Sequence, residues 1–113
     1  MKILILGAAG QISQYLIKRL LQDTDHELVL YARQAHHRLT HFASARVTFI
    51  SGDFYEKEKL KSSLAGIDLV YLNEMRHIEV VENLIQFMEE KQVKRFIGAS
   101  ILGIYGEAEG AFG

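Results

Sequence analysis

Apolar residues along this chain follow two alternating rhythms. Unbroken runs rich in Ile, Leu and Val occupy residues 2–6, 27–31, 47–50, 69–72 and 95–97. Runs this short and continuous suit strands buried on both faces, as in a parallel sheet covered by helices. Between them the apolar residues take helical spacing. Ile12, Tyr15, Leu16 and Leu20 share one face of a first helix, and Val81, Leu84, Ile85 and Met88 mark another within 76–91. A helix over 56–65 turns only Leu60 and Leu64 inward and ends at Gly66, a suitable C-terminal cap. Residues 35–43 offer just Leu39 and Phe42 as large apolar anchors and form the weakest helical segment.

Strand and helix thus alternate as βαβαβαβαβ. That order predicts an open, doubly wound parallel α/β sheet in three layers, helix on sheet on helix. Connections this short call for right-handed crossovers. No repeat, low-complexity tract or linker interrupts residues 1–106, which are expected to form one domain. Residues 107–113 are a Gly/Ala/Glu-rich tail expected to fray. The expectation is that a longer protein is cut there, since no further helix follows the fifth strand.

Composition narrows the function. At 113 residues, 49% hydrophobic and 24% charged, the chain matches an ordinary globular domain and not a disordered or coiled-coil one. A formal charge of −1 gives no pull toward nucleic acid or an anionic membrane. No apolar run approaches the roughly 20 residues needed to span a bilayer. The lack of cysteine removes disulfides, thiolate metal sites and thiol nucleophiles, and it fits a reducing, cytoplasmic setting.

Candidate chemistry begins where the first strand ends. It runs directly into Gly7-Ala8-Ala9-Gly10-Gln11-Ile12-Ser13, and the first helix opens there. Glycine permits positive φ and close backbone approach, so a ligand phosphate can rest on free amides at the helix N-terminus. A glycine pair alone is weak evidence, because any tight βα turn can use one. Its place in the first βαβ unit gives it weight. Ser13 stands where a third glycine is common, so helix and strand must accommodate a hydroxymethyl group.

The turn Gly7-Ala8-Ala9-Gly10-Gln11-Ile12 resembles the GAxGxI turn of atypical short-chain dehydrogenases/reductases, the NAD(P)H-binding, NmrA-like proteins. Val81-Glu82-Asn83-Leu84-Ile85 through Val93-Lys94-Arg95-Phe96-Ile97-Gly98-Ala99-Ser100 is similar to that group's fourth helix and fifth strand, and Gly52-Asp53 to its GD pair. The resemblance covers nearly all of this chain but only the cofactor half of a full family member. It implies a Rossmann fold of strand order 3-2-1-4-5 that binds NAD(P) through Gly7, Ala9, Gly10, Gln11 and Ile12.

NAD-preferring sites place an acid about 20 residues past the glycines to hold the ribose 2′-hydroxyl. Here the second strand ends Leu30-Tyr31-Ala32-Arg33, without an acid. The Arg33 guanidinium can grip a 2′-phosphate, with His36, His37 and Arg38 adding positive field. NADP is therefore the expected cofactor and NAD the alternative. A solvated basic loop is the plainer account of the same residues. Asp53 also has two readings. Asp53-Phe54-Tyr55-Glu56 has capping-box spacing, which makes Asp53 a local cap. The resemblance instead implies that Asp53 accepts a hydrogen bond from the adenine amino group, with Phe54 beside the base.

Acid–base chemistry is harder to find. The Tyr-x-x-x-Lys pair of short-chain dehydrogenases is matched only by Tyr55 and Lys59, ahead of the third helix instead of after the fifth strand. It reads as a coincidence of helical spacing. By resemblance, Ser100 faces the reacting carbonyl, Tyr105 in Ile104-Tyr105-Gly106 lines the nicotinamide or substrate cleft, and Asn73 contacts the nicotinamide ribose. His37 and His41 stand four apart but lack a third ligand and read as a surface pair, so no metal is expected.

Two functions compete. One is the dinucleotide-binding domain of an NAD(P)-dependent oxidoreductase acting on a small carbonyl or quinone-like substrate. The other is a non-catalytic NmrA-like redox sensor that binds NAD(P) and signals to a protein partner. A homo-oligomer is compatible with both. A nucleoside ligand such as S-adenosylmethionine fits less well, having no pyrophosphate for the Gly7–Gly10 turn.

Overall fold

The apolar runs become strands whose alternate residues serve two separate cores. A computed structural model describes residues 1–72 and 78–98. Five strands, β1 (Lys2–Leu6), β2 (Glu27–Ala32), β3 (Val47–Ser51), β4 (Leu69–Leu72) and β5 (Arg95–Gly98), alternate with helices α1 (Gln11–Asp23), α2 (Ala35–Arg38), α3 (Lys57–Ser63) and α4 (Ile78–Glu90). A single 3-10 turn, Thr40–Phe42, follows α2. All pairings are parallel, in the order β3-β2-β1-β4-β5. This is the doubly wound sheet that the alternation predicts.

Strand geometry sends successive side chains to opposite faces. Leu4, Leu6, Val29, Tyr31, Val70 and Leu72 meet Leu60 and Leu64 at α3 and Leu84 and Met88 on α4. Ile3, Ile5, Leu28, Leu30 and Tyr71 meet Ile17 of α1 together with Ala35 and Leu39. Both faces are covered, so the strand sequences show no polar alternation. Each fully buried Leu or Ile contributes about 1.5–3 kcal/mol.

Two helices bury a different stripe from the one their spacing suggests. Ile12 and Tyr15 are 63% and 64% exposed, and α1 instead turns Ser13 and Ile17 inward with Leu16, Leu20 and Leu21 partly covered. Ser13 is the smallest of these, and its place against the sheet rotates the larger Ile12 outward. On α4 the buried line is Val80, Leu84 and Met88, while Ile85 is 43% exposed. Leu60 and Leu64 are inward as the spacing predicts, and Gly66 takes φ of 72° just past α3. The segment 35–43 splits into α2 and the 3-10 turn, anchored by buried Leu39 and partly buried Phe42.

Arg46 fastens the far end of α1, which the sequence pattern does not reveal. Its Nη1 donates to Thr24 O (2.6 Å) and His26 O (3.2 Å), and its Nη2 to Leu21 O (2.8 Å). Leu21 O and Thr24 O are carbonyls that the helix end leaves without amide partners, His26 O follows in the link to β2, and a cation suits the negative end of the helix dipole.

Candidate functional site

The chain leaves β1 leftward to β2 and β3, then crosses back to β4 and β5. Ligands of open α/β sheets bind at such a reversal, beyond the strand C-termini. A cleft of about 400 Å³ lies there, lined by Gly7, Ala9, Gly10, Ala32, Arg33, Arg38, Gly52, Asp53, Phe54 and Tyr55. Six residues expected from the sequence, Gly7, Ala9, Gly10, Arg33, Asp53 and Phe54, thus share one wall system.

Gly7 takes φ of 74°, which turns the chain sharply out of β1. The strain relief expected of the glycines therefore falls on Gly7. Gly10 has φ −68° and ψ 156°, a conformation open to any residue, and serves as N-cap of α1. No side chain caps this helix, and its first turn carries no acid. The amides of Gln11 and Ile12 consequently keep no backbone acceptor among the described residues. Gln14 Nε2 instead binds Ala9 O (2.7 Å), firming the turn from within. Uncapped amides, the positive dipole end and adjacent glycines suit an anionic pyrophosphate.

The opposite wall is basic. Arg33 and Arg38 are exposed and line the cleft, with Arg38 Nη1 at 3.5 Å from Arg33 O. Gln34 between them holds φ of 54°, so the chain turns abruptly after β2. His36 faces Ser51, with Nδ1 3.0 Å from its Oγ, and its ring is 5.7 Å from that of Phe49. His37 is on α2 and His41 in the 3-10 turn, its ring 4.2 Å from that of Phe42, so they do not share one helix face. No group of three metal-ligating side chains occurs among the described residues.

Beneath the cleft is a tightly built turn. Asp53 Oδ1 accepts from the amides of Tyr55 (2.8 Å) and Glu56 (3.1 Å) and so closes a turn ahead of α3. It is not the helix cap its spacing suggests, because the N-cap of α3 is Glu56 and no side chain bonds there. A Cβ on Gly52 would come within 2.7 Å of Glu56 Oε2 and Lys59 Cδ, which can swing aside, and within 2.9 Å of the rigidly held Tyr31 Oη, so a side chain there would push on the turn. Lys59 Nζ donates to Ser51 O (2.6 Å) and pairs with Glu56 at 3.3 Å. The bond to Ser51 O ties α3 to the end of β3.

Sequence reasoning missed Tyr31. It is wholly buried, and its hydroxyl donates to Asp53 O at 2.8 Å. Burial first, then the charges of Glu56 and Asp53, pushes that hydroxyl up to about 12. The available signal was one polar-tipped ring in an otherwise aliphatic strand, which must find a partner when buried. Asn73, Ser100 and Tyr105 lie outside the described residues.

Comparison with known proteins agrees with this geometry. The chain is 35% identical to a wide-type short-chain dehydrogenase/reductase of Veillonella parvula DSM 2008 solved in complex with NADP, with a TM-score of 0.84 over 94% of this chain and 50% of that one. A Rossmann-fold NAD(P)-binding family protein of Shigella flexneri is 29% identical, with a TM-score of 0.71 over 84% of this chain and 49% of that one. An uncharacterized UDP-glucose epimerase of Bacillus subtilis (strain 168) is 25% identical over 97% of this chain and 43% of its own length. The chain thus spans about half the length of these relatives. The family model for NAD(P)H-binding proteins matches residues 7–113, from the first glycine of the turn onward, and the chain belongs to that NAD(P)H-binding, short-chain-dehydrogenase-like family.

Proposed function

We propose that residues 1–106 are the cofactor domain of a cytoplasmic, NADP-preferring oxidoreductase acting on a small carbonyl or quinone-like substrate. The observation that carries the preference is the pair Arg33 and Arg38 on the cleft wall, where β2 ends without a carboxylate. A guanidinium matches a phosphate bidentately, whereas NAD offers only a ribose diol there. The Veillonella relative, solved with NADP, supports the same choice. Gly7, Ala9, Gly10, Gln11 and Ile12 would hold the pyrophosphate, Arg33 the 2′-phosphate, and Asp53 with Phe54 the adenine.

When bound, the nicotinamide supplies the hydride, so this chain has to bind it, orient it and exclude water. Asn73 would contact the nicotinamide ribose, Ser100 would face the reacting carbonyl, and Tyr105 would line the substrate side. The sensor alternative draws on the sequence, in which the one Tyr-x-x-x-Lys match, Tyr55 with Lys59, stands ahead of α3 and not after β5. Titration with NADPH and NADH by ligand fluorescence tests the cofactor. Tighter NADPH binding is expected, and equal affinities would overturn the preference. Assaying NADPH oxidation with a panel of quinones and small carbonyls by the full-length protein separates enzyme from sensor.

A further inference from the structure

We propose that Tyr31 is a positioning residue that holds the two walls of the cofactor cleft at a fixed separation. This rests on reading the cleft as the dinucleotide site. Its backbone carbonyl accepts from the amides of both Gly7 (3.0 Å) and Ala8 (3.1 Å), fixing the start of the glycine turn. Its side-chain hydroxyl donates to Asp53 O (2.8 Å), fixing the turn that carries Asp53 and Phe54. One residue therefore bonds the phosphate wall at its carbonyl and the adenine wall at its ring tip.

The side chain suits this work. Its ring is rigid and wholly buried in the core between β2 and helices α3 and α4, so the hydroxyl cannot swing away. The hydroxyl is protonated, and hence a donor, across the physiological range, and burial extends that to higher pH. The turn it holds is closed from the other side as well. Gly52 lies against Tyr31 Oη, Glu56 and Lys59, and Gly52 N donates to Ala32 O (3.1 Å). Moving the Asp53 carbonyl would shift Asp53 and Phe54 while the glycine turn stayed in place.

Tyr31→Phe keeps the ring and removes only the bond to Asp53 O. The full chain and this variant are titrated by calorimetry with NADPH and with adenosine 2′,5′-bisphosphate, well below both thermal midpoints. At such temperatures both proteins are folded, so lost global stability cannot change the measured affinity. The expected result is a loss of roughly three- to tenfold, the scale of one neutral hydrogen bond, and by the same factor for both ligands because both carry the adenine end. Gly52→Ala, whose Cβ would press on the Tyr31 hydroxyl and so displace the same turn from the other side, should give a similar paired loss. Unchanged affinity for both ligands in Tyr31→Phe overturns the proposal, as does a loss confined to NADPH. A parent chain that binds neither ligand overturns the cofactor reading itself and this inference with it.

Discussion

Asp53 turns one carboxylate oxygen onto its own chain, with Oδ1 2.8 Å from the Tyr55 amide and 3.1 Å from that of Glu56. Its second oxygen makes no hydrogen bond among the described residues and belongs to a residue lining the cleft. The local turn and the proposed adenine contact would thus use different atoms of one side chain. Asp53→Asn retains an oxygen for the two turn amides and should hold stability within about 0.5 kcal/mol, while presenting an amide donor to the adenine amino group and weakening NADPH. Asp53→Ala should lose about 1 kcal/mol of stability as well. Urea unfolding and calorimetry separate the effects. If Asp53→Asn binds like the parent, the residue closes its own turn and does nothing more.

Arg33→Ala is expected to weaken NADPH by about 1.5–3 kcal/mol, roughly ten- to hundredfold, the range for a hydrogen bond to a charged group. NADH should change far less. Arg33→Asp should go further, repelling the 2′-phosphate and offering the NAD ribose an acceptor. Because Arg33 is exposed, added salt should erode the parent's preference. Equal losses for both dinucleotides would mean that Arg33 stacks or points to water.

The two glycines of the turn should fail in different ways. Gly7 holds φ of 74°, so Gly7→Ala should lose about 1–2 kcal/mol of stability through backbone strain. Gly10 lies in ordinary extended space, so Gly10→Val should fold with the parent's circular dichroism spectrum. Its branched side chain would nonetheless fill the pyrophosphate position and abolish dinucleotide binding. Undiminished binding by Gly10→Val would place the phosphates elsewhere.

Ser13 occupies the third-glycine position, wholly buried, and its Oγ has no hydrogen-bond partner among the described residues. The carbonyl of Ala9, one turn back, is engaged by Gln14 Nε2. An unsatisfied buried hydroxyl is costly, and Ala is the better helix former. Ser13→Ala should therefore raise stability by about 0.5–1 kcal/mol in urea unfolding. A drop would show that the hydroxyl is used.

Alkaline pH should expose Tyr31. Its folded-state value of about 12 lies above the ordinary 10.0, so the folded chain holds this proton more tightly than the unfolded one. The resulting stability is complete below pH about 10 and is lost as pH climbs through about 12. Tyr31→Phe should remove this part of the decline, leaving that of other groups such as Tyr71, which burial also raises. Urea midpoints across this interval provide the measurement, and identical declines in parent and variant would exclude Tyr31 as its source.

The strands, their order in the chain and the glycine turn were legible in the sequence because each rests on local information. An apolar run between two turns has few ways to be other than a buried strand, and β1 and β4 take the predicted bounds. A glycine turn between β1 and α1 marks its own place on the sheet. Helix faces were less legible. Ile12, Tyr15 and Ile85 fit helical spacing yet lie at the surface, because the sheet contact admits the stripe whose side chains fit closest, led by small Ser13. Arg46 on the end of α1 and Tyr31 beneath Asp53 were out of reach for another reason. Their partners lie 20 to 25 residues away along the chain, and only the parallel stacking of β3 on β2 brings these groups within hydrogen-bond distance. Sequence periodicity records which residues avoid water. Which buried polar group meets which carbonyl depends on strand register, and register is settled only when the whole sheet closes on both of its cores.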